Sequence, residues 1–266
     1  MQLIIPARNE ECRLPATLRA LRAYALSTAE LPRPPLEVLV VDNASTDRTA
    51  EVAAAMDSPV MPVRVVRCEV LGKGAAVRAG IAATTADVVG FMDADGATGL
   101  EAFESAAVLL ASGADVVIGS RAAEGAATEA RHTWVRGAGA ALYRRAAALL
   151  VPGIGDTQCG FKILKGDLAR DVFAVCGTRG FSFDVEMLAR CRGERARVAE
   201  FPVRWVDVPG STFSPLRHGL RSFADLVGIA WRLRSRPTVR TTPVTPLRPE
   251  VPVVADVPRL GLAGGA

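Results

Sequence analysis

Five short runs of apolar and β-branched residues recur along the first 120 residues, and stretches of helical character separate them. The runs are LIIP at 3–6, LEVLVVD at 36–42, VRVVRC at 63–68, DVVGFMD at 87–93 and ADVVIGS at 114–120. Between the first two runs, Leu14, Leu18 and Leu21 recur at helical spacing. Strands that alternate with helices form a mostly parallel sheet with helices on both faces. We therefore predict an α/β fold built on such a sheet.

The second half of the chain has a different pattern. A long helix rich in Ala, Leu and Arg is predicted after residue 130, with further helices near 167–175 and 183–192 and a strand-like run, VAEFPVRWVDV. Beyond residue 235 the sequence is rich in proline and has neither helical nor strand periodicity, so it buries little apolar surface. We predict one domain over 1–235 and a flexible tail over 236–266.

The charge and cysteine content argue against several classes of protein. The 32 basic and 28 acidic residues give a net charge of only +4, which argues against a nucleic-acid-binding protein. Five dispersed cysteines form no C-x-x-C pair, which argues against a zinc site or a disulfide framework and fits a reducing cytoplasm. The sequence has no signal-peptide pattern and no apolar run of about 18 residues. We therefore expect a cytoplasmic protein that does not span the membrane.

Polar residues follow several of the predicted strands, at the point where each strand ends. In an open α/β sheet, ligands bind beyond the carboxyl ends of the strands. We therefore expect one crevice lined by the residues that follow the first, second and fourth strands, which are Arg8, Asn9, Glu10, Asp42, Asn43, Ser45, Asp93 and Asp95.

Asp93 and Asp95 are two carboxylates at the end of an apolar strand, in the sequence FMDADGAT. Carboxylate oxygens are ligands for Mg²⁺ or Mn²⁺, and these ions commonly bridge protein carboxylates to substrate phosphates. The alternative is a loop in which the aspartates serve turn geometry. The position after a buried strand favours the metal, so we predict that Asp93 and Asp95 are its ligands.

Two further motifs have both a structural and a functional interpretation. Ser45 or Thr46 is predicted to cap the helix that follows the second strand, while the Asp42 carboxylate can accept the ring N–H of uracil or guanine. The Gly-Lys-Gly at 72–74 is either a turn or a diphosphate contact, since two glycines allow close backbone approach and Lys73 adds positive charge. This motif lacks the spacing of a Walker loop.

Eight motifs in consistent order resemble those of glycosyltransferase family 2, in particular its dolichyl-phosphate glucosyl- and mannosyltransferases and their bacterial polyprenyl-phosphate relatives. They are IIPARNEE, VVDNASTDRT, GKGAAVRAG, MDADGAT, IGSR, DTQCGFKIL, FSFDVEML and VRWVDVPGST, and the resemblance covers about residues 2–235. It implies a Rossmann-like GT-A fold in a single domain, with a nucleotide-sugar-binding half over 1–120 and an acceptor half over 121–235. It also implies an inverting, metal-dependent hexosyltransferase.

The resemblance implies roles for the residues that match the family's motifs. The metal, Mg²⁺ or Mn²⁺, is expected on Asp93 and Asp95. The donor, a nucleotide sugar, is expected to contact Pro6, Ala7, Arg8, Glu10, Asp42, Asn43, Lys73, Asp93, Ala94 and Asp95. The acceptor, a polyprenyl or dolichyl phosphate, is expected to contact Arg121, Arg136, Gln158 and Glu186. The residues implied in catalysis are Asp93, Asp95, Arg121, Asp156 and Asp184.

The sugar and the acceptor stay open at this level. The DTQCGFK run favours UDP-glucose over GDP-mannose, although residues 42–44 read Asp-Asn-Ala where relatives often carry two acids and a glycine. A phosphate acceptor is already ionised, so positioning by Arg121 and Arg136 could suffice without a strong base. A hydroxyl acceptor, on a natural product or a glycan, would need Asp156 or Asp184 as the base.

Two other classes of function are the alternatives. A sugar-1-phosphate nucleotidyltransferase would also use a nucleotide and Mg²⁺, but its glycine-rich, arginine-containing N-terminal loop is absent from this sequence. A non-catalytic module that binds nucleotide sugars or docks on a membrane would have no need of Asp93 and Asp95. The intact pair of aspartates favours the enzyme.

The segment PLRHGLRSFADLVGIAWRLRSR at 215–236 predicts a basic amphipathic helix, with Leu220, Phe223 and Val227 on its apolar face. Such a helix can lie peripherally on an anionic membrane, here its inner, cytoplasmic face. The alternative is a helix that packs on the core and leaves its arginines in solvent. The sequence favours neither interpretation.

Overall fold

The structure, a computed structural model, describes residues 1–29, 35–129, 134–208 and 215–235. Within these ranges only the backbone is described at residues 129, 134–138, 140 and 215–220. The flexible tail predicted over 236–266 lies outside the described residues. The tail and the division of the chain into two functional halves therefore stay predictions.

The described residues form nine strands, which are β1 (Gln2–Ala7), β2 (Glu37–Asp42), β3 (Val63–Arg67), β4 (Val88–Phe91), β5 (Val116–Ser120), β6 (Ala127–Glu129), β7 (Lys162–Lys165), β8 (Val198–Pro202) and β9 (Arg204–Val206). Seven of them make one sheet in the order β3-β2-β1-β4-β7-β5-β8, and β6 pairs with β9. Within the large sheet, only β7 runs antiparallel to its neighbours, β4 and β5. The five predicted strands and the mostly parallel α/β sheet are confirmed.

Helices cover the sheet on both faces. They are α1 (Leu14–Ser27), α2 (Thr49–Ala54), α3 (Lys73–Ala82), α4 (Ala102–Ala111), α5 (Trp134–Leu150), α6 (Gly166–Val175), α7 (Phe183–Gly193) and α8 (Pro215–Ser235). Successive residues of a strand point to opposite faces. Accordingly, Ile4 and Val41 belong to the apolar cluster under α3, α6 and α7, while Leu3 and Val40 belong to the cluster under α1 and α4. The predicted coverage of both faces is confirmed.

Strand β7 is the element of the large sheet that the sequence did not predict. It has only four residues, and the first three of them end the motif DTQCGFKIL, next to a turn. The strand enters the middle of the sheet between β4 and β5 and places Lys162 opposite Phe91, the last residue of β4. The motif therefore lies beside the strand end that carries Asp93 and Asp95.

The predicted cap of the helix after β2 is wrong. Helix α2 begins only at Thr49, so Ser45 and Thr46 are too far from its first turn to cap it. The carboxylate of Asp47 accepts a hydrogen bond from Thr49 N (3.0 Å) instead. Ser45 and Thr46 are left in the loop, where they contact the neighbouring strand end.

Helix α8 has two apolar faces rather than one. Leu226 and Ile229 are buried in the core, together with Ser222. Val227 and Trp231 lie on the opposite side and are 73% and 70% exposed. The prediction that Val227 belongs to a single apolar stripe is therefore wrong, because core packing uses a stripe rotated around the helix. The face of α8 that carries Val227 and Trp231 is therefore exposed to solvent.

Candidate active site

Two loops at the carboxyl ends of β1 and β2 are joined to each other by hydrogen bonds. Asn9 N donates to Ser45 Oγ (3.1 Å), and Thr46 N donates to Asn9 Oδ1 (2.9 Å). Asn9 and Ala44 have φ angles of 55° and 52°, in the left-handed region where a chain turns sharply. Asp42 lies at this edge, and one of its oxygens accepts a hydrogen bond from Ser45 N (3.1 Å). No described residue donates to the second oxygen of this partly exposed carboxylate, which can therefore accept a hydrogen bond from a ligand.

Asn43, predicted to bind the donor, has a side chain that is only 4% exposed. Its amide group donates to the carbonyls of Cys68 (3.0 Å) and Val70 (2.7 Å), and its oxygen accepts from Gly72 N (2.8 Å). Both amide hydrogens are therefore used inside the protein. The Asn43 side chain thus holds the Gly-Lys-Gly loop in place, and a contact of Asn43 with the donor stays a prediction.

Three carboxylates and one lysine lie near enough to influence one another's charge where β1 and β4 end. Burial would raise the pKa of Asp93, but its ion pair with Lys73 and the nearby charges of Lys162 and Arg121 together lower it. Burial and the charge of Asp93 raise the pKa of Asp95. Burial also raises the pKa of Glu10, although Arg13 donates to its carboxylate at 2.8 Å and 2.5 Å. A cation placed between Asp93 and Asp95 would relieve their repulsion.

Asp93 and Asp95 have the chemistry of a magnesium or manganese site. Both are oxygen donors, and Asp95 keeps one oxygen beyond the hydrogen bond that its Oδ1 accepts from Ala97 N (3.1 Å). In the part of the chain that the structure describes, no three His, Cys, Asp or Glu side chains are grouped as metal ligands. Mg²⁺ often binds through one or two carboxylates and completes its shell with substrate phosphates and water. The two aspartates therefore fit a cation that binds together with the donor.

Gly160, in the DTQCGFK motif, lies directly behind the carboxylate of Asp93. A Cβ atom at residue 160 would be 2.1 Å from Asp93 Oδ2, far inside van der Waals contact. A residue with any side chain would displace this carboxylate. The motif thus shapes the predicted metal site, a role that sequence spacing did not indicate.

A second ion pair is buried beside the first. Lys162 is 0% exposed, and its Nζ lies 2.6 Å from Oδ1 of Asp184. The same Nζ donates to the carbonyl of Cys159 (2.7 Å) and lies 5.4 Å from the centre of the Phe91 ring. Burial raises the pKa of Asp184, although Lys162 and Lys73 oppose the rise. The motifs did not single out Lys162. The signal in the sequence is a lysine inside the apolar run FKIL, because a lysine is almost never fully buried without a partner.

Arg121 and Asp156, both predicted on the acceptor side, form an ion pair with each other. Nε and Nη2 of Arg121 donate to the two oxygens of Asp156 (2.7 Å and 3.0 Å). Burial would raise the pKa of Asp156, but Arg121 outweighs burial and lowers it. The two guanidinium nitrogens of Arg121 that were predicted to hold the acceptor phosphate thus bind Asp156. Its third nitrogen, Nη1, makes no hydrogen bond to a described residue. Gln158 lies in the same turn and donates from its backbone to Asp156 (3.2 Å), whereas the side chain of Arg136 lies outside the described residues.

Glu186, predicted to contact the acceptor, is instead enclosed in the protein. Its carboxylate accepts hydrogen bonds from Thr178, Arg190 and Arg232. Burial opposes ionisation, but these donors outweigh it and lower the pKa of Glu186 to about 2. Residues two apart on a helix point about 200° away from each other. Asp184 therefore faces the charges around Lys162, and Glu186 faces α8.

The remaining donor residues of the prediction lie on β1 and at the end of β4. Pro6 and Ala7 are the last two residues of β1, and Arg8 follows them with an exposed side chain. The carbonyl of Ala94 accepts a hydrogen bond from Thr17 Oγ1 (2.8 Å), which anchors the turn between the two aspartates to α1. Contacts of these residues with a donor stay predictions.

A nucleotide diphosphate sugar needs a partner for its base, backbone N–H groups or positive charge for its diphosphate, and commonly a cation shared with the protein. One edge of this sheet offers all three, at Asp42, at the start of α3 and at Asp93 with Asp95. That combination, on a mostly parallel α/β sheet, is characteristic of glycosyltransferases of the GT-A type.

Comparison with known proteins agrees with this class. The sequence profile described as Glycosyl transferase family 2 matches residues 2–173. The chain belongs to glycosyl transferase family 2, as its motifs predicted.

Several relatives carry the same name, dolichyl-phosphate beta-glucosyltransferase. The protein of Drosophila melanogaster is 33% identical over 253 residues, which cover 88% of this chain and 78% of the relative. The human protein is 30% identical over 257 residues, which cover 88% of this chain and 78% of the relative.

A solved structure shares the fold. It is glucosyl-3-phosphoglycerate synthase from Mycobacterium tuberculosis in complex with Mn²⁺, UDP-glucose and phosphoglyceric acid. It matches with a TM-score of 0.63 and 20% identity, and the match covers 86% of this chain and 79% of that chain. At this identity the likeness concerns the fold, and it confirms the predicted GT-A architecture.

Proposed function

We propose that this protein transfers glucose from UDP-glucose to the phosphate of a dolichyl or other polyprenyl lipid, with inversion at the anomeric carbon. The names of the relatives, dolichyl-phosphate beta-glucosyltransferases, support the sugar, the acceptor and the inversion. The structural observation that carries the proposal is that Asp156 and Asp184 are both engaged in ion pairs.

A hydroxyl acceptor would need one of these carboxylates to remove its proton. Asp156 is held through both oxygens by Arg121, and its lowered pKa makes it a weak base. Asp184 is almost fully buried against Lys162, so reaching a substrate would break the pair. A phosphate acceptor is ionised near neutral pH and needs no base. The engagement of both acids therefore favours a phosphate.

The donor's parts match residues along the crevice. The free oxygen of Asp42 is suited to the ring N–H of uracil, and Lys73 at the start of α3 is suited to the diphosphate. A Mg²⁺ or Mn²⁺ ion on Asp93 and Asp95 would neutralise the charge that develops on the departing diphosphate. Nη1 of Arg121 is the nitrogen left to hold the acceptor phosphate.

The test is a transfer assay with matched acceptors. The purified protein, UDP-glucose and Mn²⁺ are incubated with farnesyl phosphate or with farnesol, and the anomeric configuration of the product is determined by NMR. We expect β-glucosyl phosphate from farnesyl phosphate and no product from farnesol, and Asp95→Asn or excess EDTA should abolish transfer. Equal transfer to farnesol, or a preference for GDP-mannose, would contradict the proposal.

We also propose that the protein acts peripherally at the cytoplasmic face of a membrane. Within the described ranges, no helix combines the length and the apolar character that a membrane-spanning helix needs. The outer face of α8 has Val227 and Trp231 at its centre, with exposed Arg221 and Arg234 on either side. An apolar strip between arginines suits an anionic lipid surface.

Co-sedimentation with vesicles tests this surface. We expect binding to vesicles that contain phosphatidylglycerol and weak binding to pure phosphatidylcholine. The double variant Val227→Ser, Trp231→Ser should bind less, because both side chains are exposed and their loss leaves the core intact. Wild-type binding by this variant would refute the assignment of the surface.

A further inference from the structure

A buried network joins α8 to the loop between α6 and α7, residues 176–182. Nη2 of Arg232, on α8, donates to Thr178 Oγ1 (2.7 Å) and to Glu186 (3.2 Å), and its Nε also donates to Glu186 (3.2 Å). Glu186 further accepts from Thr178 N (2.8 Å) and from Thr178 Oγ1 (2.6 Å). Arg232 thus joins α8 both to this loop and to the buried carboxylate of Glu186 on α7. A second contact lies further along α8, where Ser182 Oγ of the loop donates to the carbonyl of Ser222 (3.2 Å).

The opposite side of the same loop packs on the Gly-Lys-Gly motif at the start of α3. Ala75 N donates to the carbonyl oxygen of Arg179 (3.2 Å). A Cβ atom at Gly72, where φ is +128°, would be 2.1 Å from the same oxygen. A Cβ atom at Gly74 would be 2.5 Å from the carbonyl oxygen of Thr178. The loop and the motif are therefore in backbone contact, so a shift of one must displace the other.

We infer that Arg232 is a positioning residue for the donor diphosphate. It holds Thr178 from one side, and the loop then holds the Gly-Lys-Gly motif from the other. Arg190 cannot replace it in this task, because Arg190 lies one turn from Glu186 on the same helix, α7, and balances its charge without reaching α8. The inference rests on the proposed function only in that the motif contacts the diphosphate.

Because Arg190 also pairs with Glu186, a substitution of Arg232 does not leave this carboxylate without a positive partner. After Arg232→Met, Glu186 keeps its ion pair with Arg190 and its hydrogen bonds from Thr178, so no carboxylate is buried alone. The methionine keeps much of the apolar stem of the arginine. Arg232→Lys restores the charge without the planar fork. Arg19→Met, at an exposed position on α1, is the matched control.

The experiment measures the affinities of UDP and of uridine by calorimetry in the presence of Mn²⁺. We expect Arg232→Met to weaken UDP binding by roughly 2- to 30-fold, the range of typical coupling between connected residues, and to leave uridine binding unchanged. Arg232→Lys should recover part of the loss, and Arg19→Met should match the wild type. A merely destabilised protein would lose affinity for both ligands alike, and that result would overturn the inference.

Two further variants complete the test. In a Lys73→Ala background, Arg232→Met should weaken UDP binding no further, because both changes act on the same contact; an additive loss would overturn the inference. Thr178→Val, which removes the hydroxyl between Arg232 and Glu186, should give the same selective loss even if Arg232→Met does not fold. The inference is tested by UDP binding and the proposed function by transfer. If the wild type binds UDP but does not glucosylate farnesyl phosphate, only the proposed function is refuted.

Discussion

Removing one partner of the buried ion pair between Lys162 and Asp184 should destabilise the protein, whereas replacing both partners by apolar residues should change its stability little. The two side chains are 0% and 3% exposed. Removing one partner of a buried ion pair typically costs about 3–5 kcal/mol, because a charge stays buried alone, whereas replacing both by apolar residues is often neutral. Lys73 lies near Asp184 and opposes the rise of its pKa. We therefore expect Lys162→Met to cost about 3 kcal/mol, the lower end of this range.

In a protein of this size, 1 kcal/mol corresponds to about 2–4 °C of melting temperature, so Lys162→Met should lower it by about 6–12 °C. The double variant Lys162→Met, Asp184→Leu should return to within about 1.5 kcal/mol of the wild type, because no charge is left unpaired. It should nevertheless transfer less sugar than the wild type, because the positive charge of Lys162 near Asp93 is lost.

Urea unfolding, melting temperature and the transfer assay together test this reasoning. Lys165→Met is the matched control, because Lys165 lies on the same strand, is 51% exposed and pairs with Asp115 at 2.7 Å. An exposed pair of this kind contributes about 0–1 kcal/mol. If Lys162→Met proves as mild as Lys165→Met, or if the double variant is no more stable than the single one, the argument from buried charge fails.

Three further predictions follow from single contacts. Gly160→Ala should reduce transfer by about 100-fold, measured as kcat, because its Cβ would displace the Asp93 carboxylate. The pKa of Glu186 falls from 4.5 to about 2 on folding, so this residue contributes about 3 kcal/mol to the free energy of unfolding. The contribution is complete above pH 4.5 and is lost as the pH falls towards 2. In urea unfolding, Glu186→Gln should therefore make the stability depend less on pH over this range. Asp42→Ala should weaken UDP and uridine equally, by about tenfold in calorimetry, whereas Lys73→Ala should weaken UDP only.

The strands of the first half were predictable because each is a mostly apolar run of four to six residues, and helices separate them along the chain. Local periodicity carries that information. The insertion of β7 was not predictable in the same way, since four residues beside a turn have no periodicity of their own. Their antiparallel place between β4 and β5 depends on pairing with strands far away in the chain.

The face of a helix that meets the core could also be predicted only in part. In α8, apolar residues recur at spacings of three and four on more than one side of the helix, so the pattern allowed both a stripe that packs on the core and a stripe that is exposed. Packing against α5 and α7 selected Leu226 and Ile229 for the core. It left Val227 and Trp231 in solvent.

The sequence by itself determined which residues follow the strand ends, and so brought Asp42, Asp93 and Asp95 to one edge of the sheet. It did so because strand direction and connection order are local properties of a βαβ chain. Only the tertiary structure decided which charges pair. Arg121 pairs with an aspartate 35 residues away instead of leaving its guanidinium unpaired for an acceptor, and Arg232 pairs with a glutamate 46 residues away. Such pairs depend on how distant helices and turns pack, and the spacing of residues along the chain does not determine that packing.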